Sequence, residues 1–540
     1  MHSFISRGWL VLFVGLAFVA AARADQSADP TVYVLLWFDT EDYLLPADDD
    51  ATLHISEFLT REGVHCTHKL VGEKARVLDR RGRRDVIAAL QKHEIGYHTD
   101  YHSVQPTPAL FLSRLGWDEG VVEFDRRERQ GLLDVERITG QRPTCYGQPG
   151  SSWGPQQFGA MRRWGMRVYL DAGSHVALDG NPFWYCGVLN LYALKATLRT
   201  SLGGPQDLKQ AVERFDAAYD ELLAAGGGPV SIYYHPCEFV HAKFWDGVNF
   251  AKGANPPRSA WQVPPQKSAA ETAVAYKTFE DYIRHIKTKP RVRFITATEA
   301  LALYEDRAIS RSFTPDDIKD IARSVVWPNG VNSIPRRRNA SSLGRATENE
   351  VADDEVSFQV RGDYSLSAAE TLALLNDFAD AVLRGKATAA IGLRNSPLGP
   401  TAAAPTHEVV ETDRSQMDRT IADVAGYMDR HDRVPNAVWL GSTPVSPESY
   451  LKTLARYVTK LAAEPGIVKG DAGPPVRPSG ADVIRFAPTR LRPADHVAAE
   501  NSKLWGWVIF PADFRAPEMM ELARRQAWTL KPAVLERGRR

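Results

Sequence analysis

From residue 31 onward, short runs of consecutive apolar residues alternate with longer stretches in which apolar positions recur every three or four. "TVYVLLWF" ends at Asp39; "GVHCTHKLV" follows one helix-length segment and "HEIGYH" another; "PTCYGQ", "MRVYLDAG", "PVSIYYHP" and "VRFITATEA" come later. Near-continuous apolar strands separated by helices predict a parallel α/β sheet covered on both faces, closed into a barrel or doubly wound. The intervening "ERFDAAYDELLAA" places Phe215, Ala218, Leu222 and Leu223 on one helical stripe, and Gly226 to Gly228 stop it.

The alternation fades after Tyr304. Residues 309–350, rich in Arg, Asn, Ser and Asp, read as a linker. A second folded unit, 351–540, is expected beyond it. "YSLSAAETLALLNDFADAVL" opens with Ser367 and carries Glu370 three positions on, a capping box leading into a helix. Further along, Ile421, Val424, Ala425 and Met428 recur at helical spacing, and a second stripe runs through Tyr450, Leu451, Leu454, Tyr457, Val458 and Leu461. The architecture expected is therefore an α/β barrel over 25–308 followed by a smaller helix-rich α/β domain.

Length agrees with more than one unit, since 540 residues exceed what a single core usually organises. Lys+Arg and Asp+Glu are both 66, so net charge gives no general attraction to nucleic acid or an anionic membrane. The basic runs at Arg80, Arg81, Arg83 and Arg84 and at Arg336 to Arg338 read as solvated surface. At the start of the chain, Arg7 precedes "WLVLFVGLAFVAA", and Ala22 and Ala24 supply the small residues of a cleavage site, so 1–24 reads as a secretory signal peptide. An exported protein follows: periplasmic, extracellular or wall-associated, with no integral membrane span after cleavage. Cys66, Cys145, Cys186 and Cys237 are scattered, without zinc-ribbon spacing, and their pairing is left open.

Polar residues collect at the carboxyl ends of the expected strands, the edge at which parallel α/β folds bind substrates. Asp39, Glu41 and Asp42 close the first; His98 and His102 follow "EIGY"; Tyr146 and Gln148 end "PTCYGQ"; Asp171 ends "RVYL"; His235 ends "VSIYY". A carboxylate and two neutral imidazoles make a three-ligand set for a divalent metal. Two histidines four positions apart are not decisive alone and equally describe an ordinary shared surface. Glu238 and His241 read as rim residues rather than ligands, and Trp153, Trp184 and Trp245 as core residues or sugar-stacking platforms.

Taken in order, "LLWFDTEDY", "KHEIGYHTDYHS", "RPTCYGQPGSSW", "RVYLDAG" and "VSIYYHP" resemble the five motifs of the polysaccharide deacetylase family, the NodB-type carbohydrate esterases, over roughly residues 30 to 305. That resemblance implies a distorted (β/α) barrel and one divalent metal ion, zinc by family habit. It implies Asp39 as catalytic base, His98 and His102 as imidazole ligands, and Asp42 or Glu41 as carboxylate ligand, with Asp42 preferred. It further implies His235 as general acid oriented by Asp171, and a backbone N–H at Tyr146 against the oxyanion, with Trp153 near the substrate. The family's arginine beside the base is absent, and Gln148 stands where it would be. "IADVAGYMDRHDRVPNAVWLGSTPVSPESYLKTLARYVTKL", within 417–461, resembles a pseudomurein-binding repeat through Arg433, Pro435, Asn436, Val438, Tyr450 and Leu451. The expected function is metal-dependent removal of N-acetyl groups from a polysaccharide or cell-wall glycan, with the C-terminal part holding a wall polymer. The alternatives are a wall-binding protein with impaired catalysis and a hydrolase of a non-sugar C–N bond.

Overall fold

The computed structural model describes residues 30–327, 354–386, 390–393, 395–405, 408–461 and 483–536. The expected signal peptide, Arg336 to Arg338 and most of the expected linker lie outside them. The strands of the main sheet are β1 (Val32–Thr40), β2 (Thr67–Leu70), β3 (Glu94–Tyr97), β4 (Cys145–Tyr146), β5 (Val168–Leu170), β6 (Phe183–Tyr185), β7 (Val188–Leu191), β8 (Thr197–Leu198), β9 (Gly228–Tyr234) and β10 (Val292–Ile295), with a final short strand Lys531–Pro532. β1 is the axis of this sheet. One edge pairs with β9 along Val32 to Phe38, while the other pairs with β10 over Val32 to Leu35 and with β2 over Trp37 to Thr40, all parallel. From β2 the sheet continues through β3, β4, β5 and β7, and β8 flanks β9. β6 runs against the others, pairing antiparallel with β7 and with the final strand. β8 and the final strand stand at opposite ends of this path, so the hydrogen-bonded ring stays open and the sheet is a mixed, incompletely closed form of the expected barrel.

Burial explains the continuous apolar runs. Val32, Val34, Leu36 and Phe38 face a cluster with Phe58, Phe215 and Phe279 on one side. Leu35 and Trp37 point the other way, toward Leu170, Leu189 and Tyr304. With both faces covered, a strand has no polar face to offer.

Two organisational expectations meet a different arrangement. The stretch expected as a linker contains the helix Pro315–Val326, capped by Thr314 and Asp317, with Ile318, Ile321, Ala322 and Val325 buried. Those four lie at i, i+3, i+4 and i+7, a single stripe that the surrounding polar residues obscured. The helices Ala368–Leu383 and Pro447–Leu461 do not build a core of their own: Leu372 and Leu454 share one continuous apolar cluster with Leu70, Tyr97, Phe124 and Trp528. The capping box at Ser367 and Glu370 forms as expected. Lys531, buried, donates to Asp306 at 2.7 Å and to Glu370 at 2.8 Å, tying the final strand to both parts of the chain. All four cysteines are buried and free. Among the described residues no helix is long and apolar enough to cross a membrane.

Candidate active site

Side chains alternate along a strand, so residues two apart share a side. Continued past the end of β1, this rule sends Asp39 and Glu41 one way and Asp42 the other. Glu41 Oε2 lies 2.8 Å from His102 Nε2 and 3.6 Å from His98 Nε2. Asp42, the preferred carboxylate of the sequence reading, instead turns its Oδ2 toward His241 Nδ1 at 3.3 Å. The geometry therefore places Glu41 with the two imidazoles.

The second-layer contacts settle how the imidazoles present themselves. His98 Nδ1 donates to the Gly147 carbonyl at 3.0 Å; a carbonyl only accepts, so the proton is on Nδ1 and Nε2 is a bare lone pair aimed at Glu41. His102 Nδ1 lies 2.7 Å from Ser103 Oγ, which accepts from the equivalent tautomer. Neither Nε2 atom has a hydrogen bond, and both are buried. Burial lowers His98 and takes His102 down to about 4, which keeps both rings in the neutral form a metal needs. Burial also pushes Glu41 up to about 8 against the opposing His98 contact. Two neutral nitrogen donors and a carboxylate within reach of one point fit a divalent cation, and this is one of the three groups among the described residues with that geometry.

Asp39 stands beside this group, its Oδ1 3.5 Å from His98 Nδ1 and its Oδ2 3.5 Å from His235 Nε2. Its second partner was not anticipated. Lys69 Nζ sits 2.8 Å from Asp39 Oδ1 and 2.7 Å from Asp171 Oδ2, over the Trp37 ring, with its side chain wholly buried. Burial would raise the Asp39 carboxyl, but His98, Lys69 and His235 outweigh it and hold Asp39 well below the usual carboxylate range. Asp171, where burial dominates over Lys69, is pushed up to about 7. The signal in the sequence was a lysine inside the apolar strand "HCTHKLV", and the parallel register makes it the direct neighbour of Asp39.

Several expected roles move accordingly. Asp171 is engaged by Lys69 and by the Ala172 N–H, not by His235. His235 Nδ1 instead faces Glu238 Oε2 at 3.5 Å, and the same oxygen accepts the His235 N–H in a short capping turn. Burial lowers His235 well below the ordinary imidazole range, so the ring rests neutral. Gln148 does not reach Asp39: it accepts from the Tyr169 hydroxyl at 2.6 Å and donates to the Gly150 carbonyl. Arg142 donates to the Trp164 carbonyl, at the far end of the strand's approach to the site. The Tyr146 ring packs in the core between Tyr97, Phe124 and Tyr169. Trp153 stacks on His175 at 5.0 Å and is buried there, as are Trp184 and Trp245 elsewhere.

The C-terminal part of the chain supplies a wall of the site. Trp507 meets the His102 ring edge-on at 5.2 Å and donates to Asp246 at 2.6 Å. Ile509 packs with Tyr43, Val71 and Trp245. Of Asp39, Glu41, His98, His102 and His235, the last is the most exposed at 9%. The residues behind the pseudomurein-repeat likeness make internal contacts: Arg433 pairs with Asp118, Asn436 accepts from Thr401 and Ala402, and the Tyr450 hydroxyl donates to Asn376.

No family model matches the sequence, and no curated protein matches it. Among solved structures, a candidate polysaccharide deacetylase from Mycobacterium smegmatis is 14% identical, with 51% of this chain and 90% of that one aligned and a TM-score of 0.34. The PuuE allantoinase is 16% identical over 51% and 90%, with a TM-score of 0.32. Peptidoglycan deacetylase PdaC from Bacillus subtilis is 15% identical over 50% and 89%, with a TM-score of 0.25. These likenesses reach half of the chain at TM-scores well under one half.

Proposed function

We propose that the protein is an exported hydrolase that removes N-acetyl groups from a polysaccharide or cell-wall glycan, using one divalent ion held by Glu41, His98 and His102. The observation that supports it is the meeting of Asp39 with that donor set: His98 lies 3.5 Å from Asp39 on one side and 3.6 Å from Glu41 on the other. A divalent ion, zinc by family habit, would polarise an amide carbonyl and ease ionisation of water there.

The chain's own residues do the rest. Lys69 keeps Asp39 ionised, so its free Oδ2 is ready to accept a proton from attacking water. His235, resting neutral 3.5 Å from that oxygen, is placed to take the proton and deliver it to the departing nitrogen, with Glu238 steadying Nδ1 as the ring charges. The buried surroundings keep bulk water from competing for these groups. The products are acetate and a free amine.

A second reading is hydrolysis of a C–N bond in a small molecule. The burial of the site residues, with the Trp507 ring against His102, favours it. Both readings are separated by acetate release from N-acetylated chito-oligosaccharides and peptidoglycan. The first expects release, falling by about 10²–10⁴-fold in Asp39→Asn. Turnover of small amides with no acetate from any glycan would replace it with the second.

A further inference from the structure

A second group of buried polar side chains lies on the opposite side of the chain from Glu41. Asp42, Asp48 and His241 are 2%, 1% and 4% exposed. His241 Nδ1 is 3.3 Å from Asp42 Oδ2, and its Nε2 is 3.5 Å from Asp48 Oδ1. Yet Asp42 Oδ2, both Asp48 carboxylate oxygens and both His241 nitrogens lack a hydrogen bond. One donor atom from each residue falls within 4.8 Å of the others. These five buried atoms face one another with only the long His241 contacts between them, whereas buried polar groups ordinarily have a well-formed partner.

Nearby protein cations do not. Lys74 Nζ donates to the Asp42 carbonyl and to Asp49, each at 2.7 Å, and Arg81 donates to Asp49 Oδ2 at 2.7 Å. Neither reaches the carboxylates of Asp42 or Asp48. The donors are nonetheless held in place. Asp42 Oδ1 accepts the Leu44 N–H at 2.9 Å, and the His241 N–H donates to the Cys237 carbonyl at 2.8 Å. His241 also lines a cavity of 210 Å³ beside Thr200, Glu238 and Lys267.

We propose that Asp42, Asp48 and His241 form a second binding site for a divalent transition-metal ion, Zn²⁺ or Mn²⁺, distinct from the Glu41, His98 and His102 group. The oxygen-rich set of two carboxylates with one imidazole nitrogen suits those ions, whose charge opposes that of the carboxylates. The ion would clamp the chain leaving β1, which bears Glu41, to the turn after β9, which bears His235.

Metal analysis of the full chain tests this independently of activity. Protein stripped with chelator, equilibrated with Zn²⁺ and freed of excess is expected to hold two ions per chain. Asp48→Asn and His241→Gln are expected to hold one, His98→Ala one, and the Asp48→Asn/His98→Ala double variant none. A wild type with one ion, undiminished in Asp48→Asn, overturns the site. If Asp48→Asn does not fold, as judged by circular dichroism, His98→Ala decides: one retained ion supports the second site, and none overturns it. Failure of the deacetylase reading would appear as absent acetate release and leave these counts unchanged.

Discussion

Lys69 brings a full charge into a place that water does not reach, and it is there because two carboxylates meet it. Removing one partner of such a group leaves the others as uncompensated buried charges, a cost of about 3–5 kcal/mol. Lys69→Met is expected to lose stability on that scale in urea unfolding, and to lose activity because Asp39 no longer stays ionised and fixed. Adding Asp171→Asn should restore part of the stability without restoring activity, since Asp171 balances Lys69 and Asp39 does the chemistry. A second residue-scale effect concerns His175, packed between Trp153 and Trp505 and pushed by burial down to about 3 from 6.5. Between those values the unfolded chain binds a proton that the folded chain refuses. Its contribution is therefore complete above pH 6.5 and is lost as pH falls toward 3. The slope is at most about 1.4 kcal/mol per pH unit. His175→Phe should flatten the difference between urea midpoints measured at pH 5 and pH 7.5.

At the scale of elements, the turn leaving β4 is as demanding as any ligand. A Cβ at Gly147 would lie 2.1 Å from Lys69 Nζ and 2.5 Å from Asp171 Oδ2, and the Gly147 carbonyl is what fixes the His98 tautomer. Gly147→Ala is expected to displace the ammonium and abolish turnover while circular dichroism still reports a folded chain; full activity in that variant would show the contact to be dispensable. The sheet and its order of apolar runs were legible because a strand covered on both faces must be apolar throughout. The choice between Asp42 and Glu41 could only be a preference, because they differ in which side of an extended chain they occupy, and where the extension ends is not written in the runs. Lys69 was missed for a related reason: its meaning depends on the β1–β2 register, which sets it beside Asp39. His98, His102, Asp39 and His235 were picked out because each lies at or shortly past the carboxyl end of a strand that could be recognised.

Across the whole molecule, the expected barrel and the expected C-terminal domain contribute to one shared apolar cluster. Capping boxes and stripes report helices, not which core receives them, and here Leu372, Leu454 and Trp528 join the cluster that contains Leu70 and Tyr97. A fragment covering residues 25–308 would expose that apolar surface and lack Trp507 at the site. It is expected to be insoluble or to unfold without cooperativity, as sedimentation and thermal melting would show, whereas a soluble, active fragment would mark the C-terminal part as an independent module. The Lys531 contact carries this further. Asp306 and Glu370 lie far apart in the chain and share the Lys531 ammonium as their common cation, so neither is balanced until the strand bearing it is in place. Docking of the strand that carries Lys531 and neutralisation of these two acids are therefore one event.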